Sequence, residues 1–157
     1  MATTSGFLAA AERMETIANS LYEDLAVAYS GQPELHQLFR RLAAEEAQHA
    51  MRIRLLQRHR GNSVWPRDVV ERFGRDVQVL VGEMEAIRRE LGMTGPLEDA
   101  TDLLRRLATL EDRSRSVHAQ DLARHAGPEA ESLFTTLALQ DSAHGVLIQA
   151  ALDRGGT

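Results

Sequence analysis

Apolar residues recur every three or four positions through most of this chain, and glycine and proline mark the breaks between the runs. The first run spans about Gly6 to Ser30 and puts Leu8, Ala11, Ile17, Leu21, Leu25 and Ala28 on one helical face. Gly31 suits the left-handed position after a helix, and Pro33 suits the first turn of the next, where a missing N–H costs nothing. The second run goes from Pro33 to about Arg60 with Leu35, Leu38, Leu42, Ile53 and Leu56, and stops at Gly61-Asn62, before a loop with Trp65-Pro66. The third, about Arg67 to Leu91, has the sharpest period: Val70, Phe73, Val77, Leu80, Met84, Ile87 and Leu91 follow in steps of three and four. After a break at Gly92 to Pro96, a fourth run extends from Pro96 to about Ala126 and closes at Gly127. A fifth reaches from Pro128 to about Arg154.

Five helices in this order predict an all-α bundle. Short turns make the first and second antiparallel neighbours, and likewise the fourth and fifth. The connection between the pairs must then travel the length of the bundle, and a helix of ~24 residues spans roughly 36 Å. The middle segment, about 67–91, is therefore the crossover between bundle helices two and three, with its apolar seam lying on the bundle or on a second subunit. The whole chain, 1–157, reads as one domain holding a repeat, 6–60 and 96–154.

The repeat carries the chemistry. An offset of 96 superposes Glu15 on Glu111, Leu21 on Val117, Tyr22 on His118 and Gly31 on Gly127. An offset of 95 superposes Pro33-Glu34 on Pro128-Glu129, Leu38-Phe39 on Leu133-Phe134, Glu46 on Asp141 and His49 on His144. The change of one residue falls in the turn at Gln32, where a deletion costs little. A lone acidic-x-x-His is uninformative, since about one arises by chance in a chain of this composition. Alone, Glu46 and His49 could equally be an exposed ion pair worth a few tenths of a kcal/mol. Two such pairs in register, each with its preceding Glu in register, are much harder to obtain by accident. Residues three apart share a helical face, so both pairs can point into the bundle.

The register also selects among neighbouring acids. Glu45 falls opposite Gln140, Glu12 opposite Ala108 and Glu23 opposite Ala119, which sets them outside a symmetric site. Glu15, Glu46, His49, Glu111, Asp141 and His144 remain, the parts of a two-metal carboxylate site. Four carboxylates with two neutral imidazoles carry −4, which two divalent ions would cancel, and without metal some carboxylates would hold protons. Oxygen-rich ligation with one imidazole per ion suits two iron ions or manganese, with zinc also compatible. Tyr22 follows Glu15 by seven residues and reads either as a hydrogen-bond donor to a ligand carboxylate or as core. His118, its mate in the repeat, reads as an extra ligand, a proton donor or a hydrogen-bonded core histidine. His36, His59 and His125 have no acid three before them and read as surface, while Phe39 and Phe134 read as core.

Composition narrows the setting. The net charge of −5, with 18 scattered basic residues, all arginine, argues against a nucleic-acid surface. With no cysteine there is no disulfide, cysteine zinc site, iron–sulfur cluster or thiol nucleophile. No basic leader precedes an apolar run at the N-terminus and no run approaches the ~18 apolar residues of a membrane span, so the expectation is a cytoplasmic protein without membrane contact.

The order Glu, Glu-x-x-His, Glu, acidic-x-x-His across a four-helix bundle resembles the ferritin-like superfamily. Within it, Glu15 to Tyr22, Pro33-Glu34-Leu35, Leu38-Phe39 and Glu45-Glu46-Ala47-Gln48-His49-Ala50 look most like the rubrerythrins. That resemblance implies a di-iron centre on the six residues above, with Glu46 and Glu111 as bridges. It further implies non-haem redox chemistry: peroxide reduction or Fe(II) oxidation, with peroxide or dioxygen as oxidant and an external electron-donor protein. Iron handling without turnover and a metal-stapled structural bundle stand as alternatives, and a homodimer is a candidate assembly. Ser114 stands where rubrerythrins usually have a second Glu, Asp141 is one methylene shorter than the usual Glu, and the absence of cysteine leaves no rubredoxin site in these residues.

Overall fold

Helices α1 (Thr4–Ala28), α2 (Pro33–His59), α3 (Arg67–Thr94), α4 (Thr101–His118) and α5 (Pro128–Gly155) make up nearly all of the computed structural model, which describes residues 2–59, 64–65, 67–119 and 127–155. Strands β1 (Ala2–Thr3) and β2 (Val64–Trp65) form a two-residue antiparallel ladder, Ala2 opposite Trp65 and Thr3 opposite Val64. The segment at Trp65, expected as plain loop, is thus paired to the start of the chain.

α1 packs mainly on α2 and α3, and α4 packs mainly on α5. One end of the bundle gathers the α1–α2 turn, the α3–α4 connection and the end of α5 around a groove of about 480 Å³ between Gln32, Leu35, Asp99, Thr101, Leu152 and Gly155. At the opposite end the ring of Phe7 lies 4.3 Å from that of Phe73 and 5.2 Å from that of Phe134. The crossover α3 therefore runs beside α1 in the same direction. Its seam is intramolecular: Phe73, Val77, Leu80, Val81, Met84 and Ile87 are buried in the common core, with Val70 and Leu91 partly so. The ion pair Arg88–Asp24 (2.7 Å) ties α3 to α1, and Arg106–Glu90 and Arg113–Glu83 tie it to α4. These exposed pairs orient the crossover more than they stabilise it.

Helix boundaries differ from expectation where local hydrogen bonding overrides the glycine and proline marks. α3 passes Gly92 and ends only at Gly95, whose φ of 69° lets its N–H reach Leu91 O at 2.8 Å. α4 starts at Thr101 and not at Pro96, because Asp99 accepts from both Thr101 N (2.9 Å) and Thr101 Oγ1 (2.6 Å) and holds the preceding turn open. The loop is tied to α1 where Leu97 N donates to Tyr29 Oη at 3.2 Å. α4 is described to His118, followed by a turn at Ala119, so its expected extension to Ala126 lies outside the described residues, as do Gly61-Asn62, Pro66 and His125. Among the described residues no helix is long and apolar enough to cross a membrane.

Since the paired Phe7 and Phe73 rings join the crossover to α1 at one end, Phe73→Ala should destabilise the chain by about 3–5 kcal/mol. Chemical denaturation followed by circular dichroism measures this. A loss under about 1 kcal/mol would mean that the crossover is not part of the cooperative core.

Candidate metal centre

The six residues singled out by the repeat meet at the middle of the bundle, none more than 3% exposed. α1 supplies Glu15, α2 supplies Glu46 and His49, α4 supplies Glu111, and α5 supplies Asp141 and His144. Helical spacing accounts for this inward aim: Ala11, Met14, Ala18 and Leu21 bury the same side of α1 as Glu15, and Leu42, Ala43, Ala50 and Ile53 do so around Glu46 and His49.

The arrangement is close to two-fold. His49 Nδ1 lies 3.0 Å from Glu46 and 3.5 Å from Glu15, while His144 Nδ1 lies 3.3 Å from Glu46 and 3.4 Å from Glu111. The two imidazoles stack 5.6 Å apart with 13° between their planes. Glu15, Glu46 and His49 form one group of converging donors, and Glu46, Glu111, Asp141 and His144 form another. Glu46 belongs to both, as a bridge would. Glu111, expected to bridge as well, belongs to one, and its Oε1 accepts a 2.5 Å hydrogen bond from the Tyr22 hydroxyl.

Tyr22 and His118 occupy matching places. Tyr22 reaches from α1 to Glu111 on α4, while His118 reaches from α4 to Glu15 on α1, its Nε2 lying 2.7 Å from Oε1. His118 also puts Nδ1 2.5 Å from Asp141 Oδ2. Of the readings open for these two, the structure selects polar partners of the carboxylates, both buried. The shorter side chain of Asp141 thus meets an imidazole from α4.

Glu45 corrects the symmetry argument. Its register with Gln140 set it aside, yet its Oε2 lies 2.6 Å from His144 Nε2 while Arg41 holds the other oxygen at 3.0 Å. The missed signal was its position: a residue preceding a ligand on α2 can face the neighbouring α5, whatever its mate in the repeat is. Glu12, by contrast, pairs with Arg54 at 2.7 Å, and Glu23 is exposed, as the register implied. Phe39 and Phe134 are core. His36, expected at the surface, is half-buried and donates from Nδ1 to Ala26 O at 2.7 Å, pinning the start of α2 to the end of α1. The side chain of His59 lies outside the described residues.

The donor set fits a pair of cations. Glu15 Oε1, Glu46 Oε2, Glu111 Oε2, His49 Nδ1 and His144 Nδ1 are buried in ion-pair contact but without a well-formed hydrogen bond, an arrangement that metal ligation would satisfy. In the metal-free chain protons take that role. Burial works against charge on His49 and His144, but the adjoining carboxylates, Glu15 and Glu46 for the one and Glu111 and Glu46 for the other, outweigh it and raise them to about 10 and about 11. His118 also rises: burial opposes it, and the charges of Asp141 and Glu15 prevail. Burial raises Asp141 to about 7, against the pull of His118. Glu46 and Glu111 are raised by burial and then by carboxylate neighbours, Glu15 and Glu46 respectively. Glu15 alone of the four falls below the usual range, where burial is outweighed by His118 charge and by its hydrogen-bonding neighbours. The expectation that carboxylates would hold the compensating protons is therefore only part of the picture, because the imidazoles hold them too.

Comparison with family models gives a match to the rubrerythrin family over residues 6–152. The chain belongs to that family. No curated protein and no solved structure matched the chain. Rubrerythrins are ferritin-like di-iron proteins, so membership supports both the bundle and the reading of its buried cluster as a two-metal site. This rubrerythrin has Ser114, 7% exposed, beside a void of about 10 Å³ that also touches Glu15, Glu46, Glu111 and the crossover's Met84. That is roughly enough room for one water.

The raised values set the sign of the pH dependence. His49 and His144 rise from 6.5, so the stability they give is complete below 6.5 and is lost as pH climbs through about 10 and about 11. Asp141, raised from 3.8 to about 7, adds a loss of the same sign between those values. The metal-free melting temperature should therefore fall from pH 7 to pH 10, whereas the metal-loaded protein, with deprotonated ligands, should not follow it. Calorimetric melts across that interval test this, and a flat or rising metal-free curve would contradict the protonation pattern. In the same assay Glu111→Gln should raise the metal-free melting temperature, since it removes a charge repelled by Glu46 while an amide oxygen still accepts from Tyr22. It should also weaken metal binding, read by equilibrium dialysis. A destabilised metal-free variant would remove repulsion as the explanation.

Proposed function

We propose that this chain is a di-iron protein that reduces peroxide with electrons from an external donor protein. The observation that carries the reading is the buried set of four carboxylates and two inward-facing imidazole nitrogens, with atoms that lack a well-formed hydrogen bond on all but Asp141. Carboxylate-rich ligation with one imidazole per ion favours iron or manganese. When bound, two Fe(II) ions would supply one electron each, matching the two electrons that hydrogen peroxide takes up with two protons to give two waters.

The chain's own groups supply the rest. Glu15, Glu46, His49, Glu111, Asp141 and His144 would hold the ions, with Glu46 shared between them. Tyr22 orients Glu111 through its hydroxyl, and His118 lies between Glu15 and Asp141, holding a proton at neutral pH within the buried cluster. That proton sits on an imidazole outside the six ligands. Ser114 borders a void with room for about one water next to three of the carboxylates, and Met84 lines its other side.

Ser114 also favours a second reading, metal binding without turnover, because the place of a further carboxylate is filled by a hydroxyl. Elemental analysis of protein from an iron-replete source should find two metal ions per chain, and a value near zero would end both readings. Anaerobic stopped-flow of the di-ferrous protein, read by absorbance of the oxidised centre, should show faster reaction with peroxide than with dioxygen. The reverse order would move the assignment to oxidase or ferroxidase chemistry, and no reaction with either would leave a binding protein. Ser114→Glu should speed turnover with peroxide if the missing carboxylate limits the cycle, and an unchanged rate would remove that explanation.

A further inference from the structure

The near two-fold symmetry of the cluster also fails at the outer nitrogens of its two histidines. Both rings turn Nδ1 inward, with matching distances of 3.5 Å from His49 to Glu15 and 3.4 Å from His144 to Glu111. On the outward side His144 Nε2 meets the Glu45 carboxylate at 2.6 Å. His49 Nε2 is buried with no hydrogen-bond partner. The repeat that exchanges α2 with α5 also exchanges Glu45 with Gln140, and Gln140 Oε1 is buried without a partner as well.

Resting on the metal centre proposed above, we infer that the Glu45 carboxylate behind His144, with no such bond behind His49 and Gln140 in the matching place of the repeat, makes the two metal positions unequal. A ring whose outer N–H donates to a carboxylate is the stronger base at its inner nitrogen, and its orientation is held by a charge-assisted bond. Arg41, on the far oxygen of Glu45, holds that carboxylate in place. His49 Nε2 has no such bond. The position of Glu46, Glu111, Asp141 and His144 is then the tighter one, and that of Glu15, Glu46 and His49 the weaker. Four donors against three act in the same direction, so only variants of the two outer residues, neither of them a ligand, separate the causes.

Cobalt(II) is the probe, titrated into metal-free full-length protein by calorimetry and by its visible d–d absorption. Wild-type protein should bind two ions in two steps. Glu45→Gln should weaken the tighter step on the order of 10-fold and shift the bands of that ion alone, with partial rescue by Glu45→Asp. Gln140→Glu should strengthen the weaker step by a similar factor and narrow the gap, and because Gln140 is only partly buried this variant reads the effect even if Glu45→Gln folds poorly. Two ions bound with constants and bands that neither Glu45→Gln nor Gln140→Glu changes would overturn the inference while leaving the metal centre standing. Failure of wild-type protein to bind cobalt would overturn the metal centre itself, and the inference with it.

Discussion

Four carboxylates and three imidazoles cannot be gathered in an apolar core unless positive charge is placed among them, and the bundle is organised around that requirement. Burial alone would drive the acids to neutrality and the histidines to the free base. The structure instead interleaves them, so that every imidazole lies against at least two carboxylates. Protons satisfy this arrangement when metal is absent, but on the ring nitrogens that metal would need. Binding of cations and loss of protons are therefore one exchange, and the core that resists an unpaired charge is what makes the exchange favourable.

The crossover helix follows from the same constraint. A four-helix bundle with acids at its centre is exposed to water along the seams between helices. α3 lies along α1, makes a lesser contact with α4, and places Met84 beside Glu15, Glu46 and Glu111. Its seam of Phe73, Val77, Leu80, Met84 and Ile87 thus connects the halves and lowers the dielectric around the cluster. On another side the wall is polar, since Glu45 is about a third exposed and bonds His144 directly. The cluster thus has one apolar wall and one charged wall.

The buried cluster of six was legible in the sequence because duplication prints it twice, and both prints fall at helical spacing. The fold was legible for a related reason: each helix has one apolar face, and the glycine and proline marks lie near its ends. Symmetry then misled where the two halves differ in chemistry. Glu45 was set aside because its mate is Gln140, although the contact that matters is with α5 and not with its own image. His118 left several roles open, since no pattern in the sequence states that Asp141 and Glu15 would flank it. The start of α4 was misplaced because a proline mark says where a helix can begin, whereas the Asp99 carboxylate decides where it does.

The division between what the repeat preserves and what it changes is itself informative. Glu15 with Glu111, Glu46 with Asp141, and His49 with His144 keep the inner donors matched in kind, and that match determines which ions the centre can hold. Tyr22 against His118 changes the group that touches a carboxylate of the cluster, and Glu45, whose mate is Gln140, meets the outer nitrogen of His144. A tyrosine hydroxyl gives a ligand carboxylate a neutral hydrogen bond, while an imidazolium gives it a charge that can leave as a proton. A carboxylate lies behind His144, and His49 has no hydrogen bond at the matching nitrogen. Two histidines alike in their inner aim thus differ at their outer nitrogens, so the repeat preserves the cluster and varies what surrounds it.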